Sequence, residues 1–414
     1  MRGDEALYNI FESFLDNKKI FCNRDVLRHD YIPYNLPHRD EEIQRLGGIL
    51  APALENCKIS NVFAYGKTGT GKTAVARFVL GRLQKKGAEV GASIQTCYVN
   101  CRLTGTNYRV LADLCRAVGF DVPFTGLAVG EVFKRFHSAL NRKRLWFIVI
   151  LDEIDALVRR QENNLLYELT RINEGLRESW VGLVGVSNDL HFKEYLDARV
   201  LSCLSEEEIV FKPYLADELY DILLDRAKIA FAIGALDNRS LRLCAALAAG
   251  EHGDARRALD LLRVAGELAE RQGESCVSED HVRLAQRKIE YDRVSEALKS
   301  LPSHSKVLLS GSYILERRFP EGSVTGDLYE VYSELCGIVG IEPLTQRRVS
   351  GLINELDVMG ILNARVMSFG RYGRTKKIRL GVSSKTITEV LSDDEVAGAL
   401  LGTVPKCLHR IKAS

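Results

Sequence analysis

Residues 66–73 read Gly-Lys-Thr-Gly-Thr-Gly-Lys-Thr. This fits G-x-x-x-x-G-K-[ST], and the chemistry that needs this spacing is the cradling of phosphates. The glycines let the backbone amides of Gly66, Lys67, Thr68, Gly69, Thr70, Gly71, Lys72, Thr73 and Ala74 curve around an anion where a helix begins. Lys72 neutralises β- and γ-phosphates, and the Thr73 hydroxyl is a ligand for Mg2+. The expected ligands are ATP or ADP with Mg2+. A second run, WFIVILDEID at 146–155, predicts a buried strand that ends in two carboxylates. Asp152 is suited to hold the Mg2+ and its water, and Glu153 to polarise an attacking water as general base. A strand ending in Asp-Glu is common by itself. Following a phosphate loop, it points to nucleotide hydrolysis.

These residues need strands and helices in a definite order to carry them. The phosphate loop directly follows an apolar run at 61–65 and precedes the helical pattern AVARFVLGRL. Further β-rich runs lie at 95–100, 147–151 and 182–185, with longer amphipathic stretches between them. That is α/β patterning, with the continuous apolar strands of a parallel sheet covered on both faces. From 213 to 300 no strand-like run is present, and apolar residues recur at helical spacing, as in RRALDLLRVAGELAE and SEDHVRLAQRKI. Asp217-Glu218 and Ser278-Glu279-Asp280 read as starts of helices, where acids and side-chain oxygens satisfy free amides. After Pro302, helical patterns are followed by two short alternating segments around FGRYGRTKK, the order expected of a winged helix. The expected domains are an α/β nucleotide-binding domain at 1–212, a helical lid at 213–300 and a winged helix at 301–414.

Composition sets bounds on this reading. With 57 Lys and Arg against 55 Asp and Glu, the net charge of +2 excludes a chain that is basic all over. Any nucleic-acid surface has to be a local patch. The longest apolar runs, 145–151 and 243–249, fall far short of the roughly 18 residues a membrane span needs, and Asp4 and Glu5 stand where a signal peptide would be basic. No membrane segment is expected, and the protein should be cytoplasmic. The ten cysteines are scattered with no C-x-x-C pair. Cys97, Cys101 and His137 lack a second close pair to complete a zinc tetrahedron, so reduced, structural thiols are expected.

The local patch lies near the carboxyl end. In 345–359, Val349, Leu352, Ile353 and Leu356 follow helical spacing and define a buried face, which turns Arg347, Arg348, Ser350 and Asn354 outward. Gly360 stands where a helix C-cap is expected. Strands at 361–367 and 376–380 would flank a tip containing Arg371, Tyr372 and Arg374, with Lys376 and Lys377 just beyond. A helix of this kind can enter the major groove while a wing arginine probes the minor groove and the lysines meet phosphate. The same residues also suit a winged helix used for protein contacts, with a solvated basic hairpin.

The order of the phosphate loop, the Asp-Glu strand, GLVGVSND at 182–189 and GDARRALDLL at 253–262 resembles the AAA+ ATPases. More closely, the chain is similar to archaeal replication initiators, relatives of the eukaryotic origin recognition complex and its helicase-loading partner. The likeness extends to NRDVLRHDYIPYNLPHRDEEI at 23–43 and covers nearly the whole chain. It implies an adenine pocket lined by Val26, Leu27, Tyr31, Ile32, Pro33, His38 and Arg39. It implies that Asn188 orients the lytic water, and that Arg256 or the adjacent Arg257 reaches from the lid to the γ-phosphate. Arg199, in LDARVLSCL at 196–204, matches an arginine finger, but Cys203 stands where relatives often have a second arginine. Arg199 as a finger and Arg199 as a surface salt bridge both remain open. Residues 121–131 match an extra helix that touches DNA, though the segment carries no basic residue. The function implied is binding of double-stranded origin DNA, slow ATP hydrolysis as a switch, and recruitment of a replicative helicase and other initiator subunits. A signalling or transposition-type AAA+ ATPase and an ATP-set transcription regulator are the rival readings.

Overall fold

In the computed structural model, which describes residues 20–29, 31–123, 125–159, 163–204, 207–368 and 374–411, five strands form one parallel sheet. They are β1 (Val62–Gly66), β2 (Ile94–Asn100), β3 (Trp146–Asp152), β4 (Trp180–Ser187) and β5 (Glu207–Phe211), in the order β2-β3-β4-β1-β5. Alternation along the central strands divides the apolar residues between two cores. Phe147, Val149 and Leu151 pack on one side with Val110, Leu114, Phe136 and Leu169 from helices. Ile148 and Ile150 pack on the other with Leu46, Val75 and Val79. Burial on both faces explains why these strands read as unbroken apolar runs rather than as alternation.

β5 escapes a reading by apolar runs because it is an edge strand. It opens with Glu207 and Glu208, pairs among the described residues only with β1, and buries just Ile209 and Phe211.

The sheet is followed by the helices Ala216–Ala230, Asn238–Gly250 and Ala255–Arg271. Each start is capped. The Leu215 amide donates to Glu218 Oε2 at 2.8 Å, Asp237 accepts from the Ser240 amide at 2.6 Å, and Asp254 accepts from the Arg256 amide at 2.8 Å. This lid folds into the same compact unit as the sheet, residues 1–285.

A second unit spans residues 286–414, so the division falls inside the helix Glu279–Ser300 rather than after it. The cause is packing. Leu298 is fully buried and joins Leu301, Val307 and Leu308 in the core of the second unit. Here the helices Ser303–Arg318, Thr325–Val339 and Gln346–Val358 accompany an antiparallel sheet of β6 (Ser323–Val324), β7 (Leu362–Ser368) and β8 (Arg374–Leu380), in the order β6-β8-β7. Leu362 lies opposite Leu380 and Ala364 opposite Ile378, which sets their face onto the buried Val349, Ile353 and Leu356 of the helix Gln346–Val358. The architecture is an α/β parallel sheet with a helical lid, followed by a winged helix. Among the described residues no helix is long and apolar enough to cross a membrane.

Candidate functional site

β4 lies between β1 and β3, and the carboxyl ends are level: Tyr65 is opposite Ser187, and Asp152 is opposite Val186. The loop leaving β1, the carboxylates leaving β3 and Asn188 leaving β4 therefore meet at one edge of the sheet, where ligands of parallel α/β sheets bind. A cavity of about 430 Å3 opens there, a size that suits a small-molecule ligand. Gly69, Gly71, Lys72, Thr73 and Ala74 line its phosphate-loop side, with Asp152, Glu153 and Asn188 beside them. Arg256 and Leu259 enter from the lid, and Tyr31, Ile32 and Pro33 close the apolar side.

Lys72 is buried, and its Nζ donates to the carbonyls of Gly66 at 2.8 Å and Lys67 at 2.6 Å. Burial, and secondarily the charge of Arg256, lowers its pKa from 10.5 to about 8. Thr73 Oγ1 donates to Asp152 Oδ2 at 2.9 Å. A hydroxyl and a carboxylate converging this way are hard oxygen donors, a set that fits Mg2+ once phosphate and water supply the remaining ligands. Glu153 follows with φ of 50°, a left-handed conformation that costs a non-glycine residue about 1–3 kcal/mol and is found where function holds a side chain in place. Its carboxylate lies 3.6 Å from the exposed guanidinium of Arg102.

Several residues expected around the nucleotide are placed behind the cavity wall. Val26 and Leu27 are fully buried in the turn Arg24–Leu27 and do not line the cavity, because their apolar side chains pack inward while the Val26 carbonyl accepts from Arg226 at 3.0 Å. His38 is drawn outward to Asp221 at 2.8 Å. Arg39 is a strut rather than a pocket wall. It donates to the carbonyls of Thr70 at 2.9 Å and Lys212 at 2.7 Å, and stacks on Tyr214 at 3.7 Å. Gly66, Lys67, Thr68 and Thr70 likewise shape the loop without lining the cavity, Thr70 Oγ1 donating to the Lys67 carbonyl at 2.8 Å.

The lid grips this loop directly. The Ala255 amide donates to the Gly69 carbonyl at 3.1 Å, and a Cβ on Gly69, where φ is 72°, would stand 1.7 Å from Asp254 Oδ1. Only glycine allows this approach. Of the two candidate lid arginines, Arg257 is held by Glu251 at 2.9 Å, whereas Arg256 lines the cavity. Arg199 is outside the cavity, exposed and paired with Asp197 at 2.8 Å.

In the winged helix, Arg347, Arg348 and Asn354 are exposed and Ser350 is half-buried. Leu352 is only partly buried, at the margin of the apolar face. Gly360 has φ of 73°, the conformation of a residue that ends a helix. Lys376 Nζ hydrogen-bonds Asn354 Oδ1, tying β8 to the helix. Arg365 lies directly opposite Lys377, a like-charge cross-strand pair that is unfavourable until a polyanion neutralises it. Among the described residues no carboxylate forms an ion pair with Arg347, Arg348, Arg365 or Lys377, while Arg379 is bound by Glu321 at 2.7 Å. Arg371 and Tyr372 lie outside the described residues, as does the side chain of Arg374.

Known proteins match this arrangement segment by segment. Residues 60–191 match the AAA domain model, 220–287 the Cdc6 AAA+ ATPase-type lid domain, and 296–390 the CDC6 C-terminal winged helix domain. An ORC1-type DNA replication protein of Thermococcus onnurineus is 52% identical over 395 residues, 94% of this chain and 95% of that one. ORC1-type DNA replication protein 1 of Archaeoglobus fulgidus is 51% identical over 93% of this chain and 94% of its own. The chain belongs to the ORC1-type DNA replication proteins. Its fold is similar to that of the Aeropyrum pernix ORC1 protein in complex with DNA, with a TM-score of 0.82 and 50% identity over 93% of this chain and 100% of that one. Nucleotide binding is a property of the AAA+ ATPase family to which ORC1-type chains belong.

No motif marked Tyr98 in this ORC1-type chain. Its hydroxyl donates at 2.8 Å to Asp152 Oδ2, the same oxygen that accepts from Thr73, and the Arg77 guanidinium covers its ring at 3.8 Å. Burial, helped by the Asp152 charge, pushes the phenol up to about 12, so it stays a donor. Only the register reveals it, since Asn100 pairs with Asp152 and Tyr98 stands two residues earlier on the same face of β2. Tyr98→Phe is expected to weaken the apparent Mg2+ affinity of the nucleotide complex about tenfold or more, as losing an outer support of a metal ligand does. A magnesium titration of nucleotide binding measures this. An unchanged midpoint would mean that Thr73 and the Glu153 amide orient the carboxylate without Tyr98.

Proposed function

We propose that this ORC1-type chain binds duplex DNA at replication origins, with ATP or ADP and Mg2+ in the cavity acting as a conformational switch, and that it helps bring a replicative helicase and other initiator subunits to that DNA. In this reading residues 1–212 hold nucleotide, 213–300 form the lid and 301–414 read DNA, in the cytoplasm on the nucleoid. The observation that carries it is the convergence of Lys72, Asn188 and Arg256 on one cavity, because Arg256 stands on the lid and the other two at the carboxyl edge of the sheet, where the loops leave β1 and β4. A γ-phosphate held between them would pull the lid toward the loop, and its loss would release Arg256.

Thr73 and Asp152 would hold Mg2+, which when bound neutralises charge on the phosphate oxygens. Lys72 binds phosphate as a point charge, the loop amides orient it, and Tyr31, Ile32 and Pro33 exclude water from the base. Glu153 takes a proton from the water that Asn188 orients. Its partner Arg102 competes for the same carboxylate, which suits slow turnover of a switch.

Sheared genomic DNA should be recovered on the full-length protein with ATP at physiological salt and sequenced. Enrichment at one or a few intergenic loci supports origin binding, and even recovery across the genome would sink it. The reader has its own test. Arg347→Ala is expected to cost about 1–3 kcal/mol on the preferred duplex and little on random sequence, whereas Lys377→Ala should weaken both equally and reduce the salt slope by about one. Titrations at several salt concentrations separate base reading from phosphate contact. Unchanged affinity in both variants would move the reading surface away from this helix and hairpin.

A further inference from the structure

The second unit has a cleft of about 350 Å3 between the end of the helix Glu279–Ser300 and the helix Ser384–Leu391 with the turn after it. It belongs to neither the nucleotide cavity nor the basic helix and hairpin. Four carboxylates line it, Asp292, Glu296, Glu389 and Asp393, against the one ammonium of Lys299. Asp292 and Glu296 are four residues apart on the helix Glu279–Ser300, and like charges at that spacing repel along a helix. Glu389 and Asp393 also stand at the carboxyl end of Ser384–Leu391, whose last turn has no basic residue. The free carbonyls of a helix end carry negative charge of their own. Among the described residues no ion pair reaches Asp292, Glu296 or Asp393, and Glu389 has only Lys385 at 3.8 Å.

Repulsion alone is no sign of a ligand, but the cleft also holds an unpartnered polar group. Ser295 lines it, is 9% exposed, and among the described residues its Oγ has no hydrogen-bond partner. A buried hydroxyl without a partner is costly, and in a helix it could have bonded the carbonyl four residues back. Beside it, the buried Val390 offers an apolar contact. Among the described residues no group of His, Cys, Asp and Glu is arranged to hold a metal ion. A compact, three-donor ammonium on an aliphatic stem matches the remaining chemistry: carboxylates for the charge, a hydroxyl to accept one N–H, and Val390 for the methylenes.

We propose that this cleft binds primary ammonium groups carried on an aliphatic chain, either those of a free polyamine or those of lysines in a basic segment of a partner protein. The site does not depend on the nucleotide or DNA readings, since all of its residues lie outside those surfaces.

Calorimetric titration of the full-length protein, without DNA and at physiological ionic strength, tests it with two probes: spermidine, and a tetralysine peptide blocked at both ends. One saturable site is expected. Glu296→Gln with Asp393→Asn should weaken it about tenfold or more, while Glu274→Gln, an acid outside the cleft, should leave it unchanged. Ser295→Ala should weaken binding while keeping or raising Tm, a combination that a serine with only a structural role would not produce. Tighter binding of spermidine identifies the free polyamine as the source, and tighter binding of the peptide identifies a lysine-bearing partner. The proposal fails if neither probe saturates, or if the double variant binds both as well as the unaltered protein does.

Discussion

Lys72→Ala is expected to abolish nucleotide binding. The side chain is buried at the mouth of the loop, and its Nζ already satisfies the Gly66 and Lys67 carbonyls, so the amine is held where a phosphate would meet it. Among the described residues no other lysine lines the phosphate end of the cavity; Lys228 belongs to a lid helix and pairs with Asp225. The lowered pKa adds a pH signature. With the free protein's lysine near 8, binding a phosphate above that pH requires uptake of a proton. Affinity for ADP should then fall by up to about tenfold per pH unit above 8, and be insensitive to this group below it.

The same shift has the opposite sign for stability. The unfolded lysine holds its proton up to its ordinary 10.5, and the folded one only to about 8. The charge therefore destabilises the nucleotide-free fold below pH 8, and that penalty fades as pH rises from 8 through 10.5. Lys72→Met, which keeps the volume and removes the charge, should accordingly melt higher than the unaltered protein at neutral pH without nucleotide, while failing to bind ADP. Calorimetry with and without ADP reads both effects. A Met variant that lost stability would mean that the Nζ bonds to the Gly66 and Lys67 carbonyls outweigh the charge penalty, and one that still bound ADP would remove Lys72 from the phosphate site.

Much of this site was legible because phosphate chemistry needs contiguous residues. The loop at 66–73, Asp152 with Glu153, and Asn188 at the end of its strand each carry their signal locally, and strand order then brings them together. What was not legible depends on partners distant in sequence. Arg39 was visible as part of a familiar segment, but its work lies with the carbonyls of Thr70 and Lys212, 31 and 173 residues away. Arg256 and Arg257 are indistinguishable in GDARRALDLL; about 100° of helical turn separates them, and Glu251 claims one. Tyr98 reads as one more strand residue until the β2–β3 register sets it beside Asp152. The lid's hold on Gly69 needs three dimensions too, because Asp254 is 185 residues further along the chain. The division between the two compact units, at 285/286, also rests on contacts. Leu298 continues a helical pattern that began in the first unit, but its contacts belong to the second.

Glu153→Ala should separate binding from turnover. The phosphate loop, Thr73, Asp152 and Arg256 are untouched by the change, so ATP and ADP are expected to bind nearly as before. Loss of the proposed general base should slow hydrolysis about 10²–10⁴-fold, trapping the protein with ATP and the lid drawn in. The backbone helps to distinguish this from a general disturbance. Glu153 sits at φ of 50° and its amide donates to Asp152 Oδ1 at 3.0 Å, so a variant that disturbed the turn would also loosen Asp152, the proposed Mg2+ ligand, and reduce affinity. Alanine keeps that amide, and Glu153→Gln keeps the side-chain volume as well; both should retain nucleotide. Arg102→Ala is the complementary change. It frees the Glu153 carboxylate from a guanidinium 3.6 Å away and is expected to leave turnover equal or faster. Single-turnover hydrolysis with the bound nucleotide quantified after rapid filtration distinguishes these cases. Hydrolysis by the Ala variant at the unaltered rate would remove Glu153 from the chemistry, and loss of bound nucleotide in both Glu153 variants would make it a support for Asp152 instead.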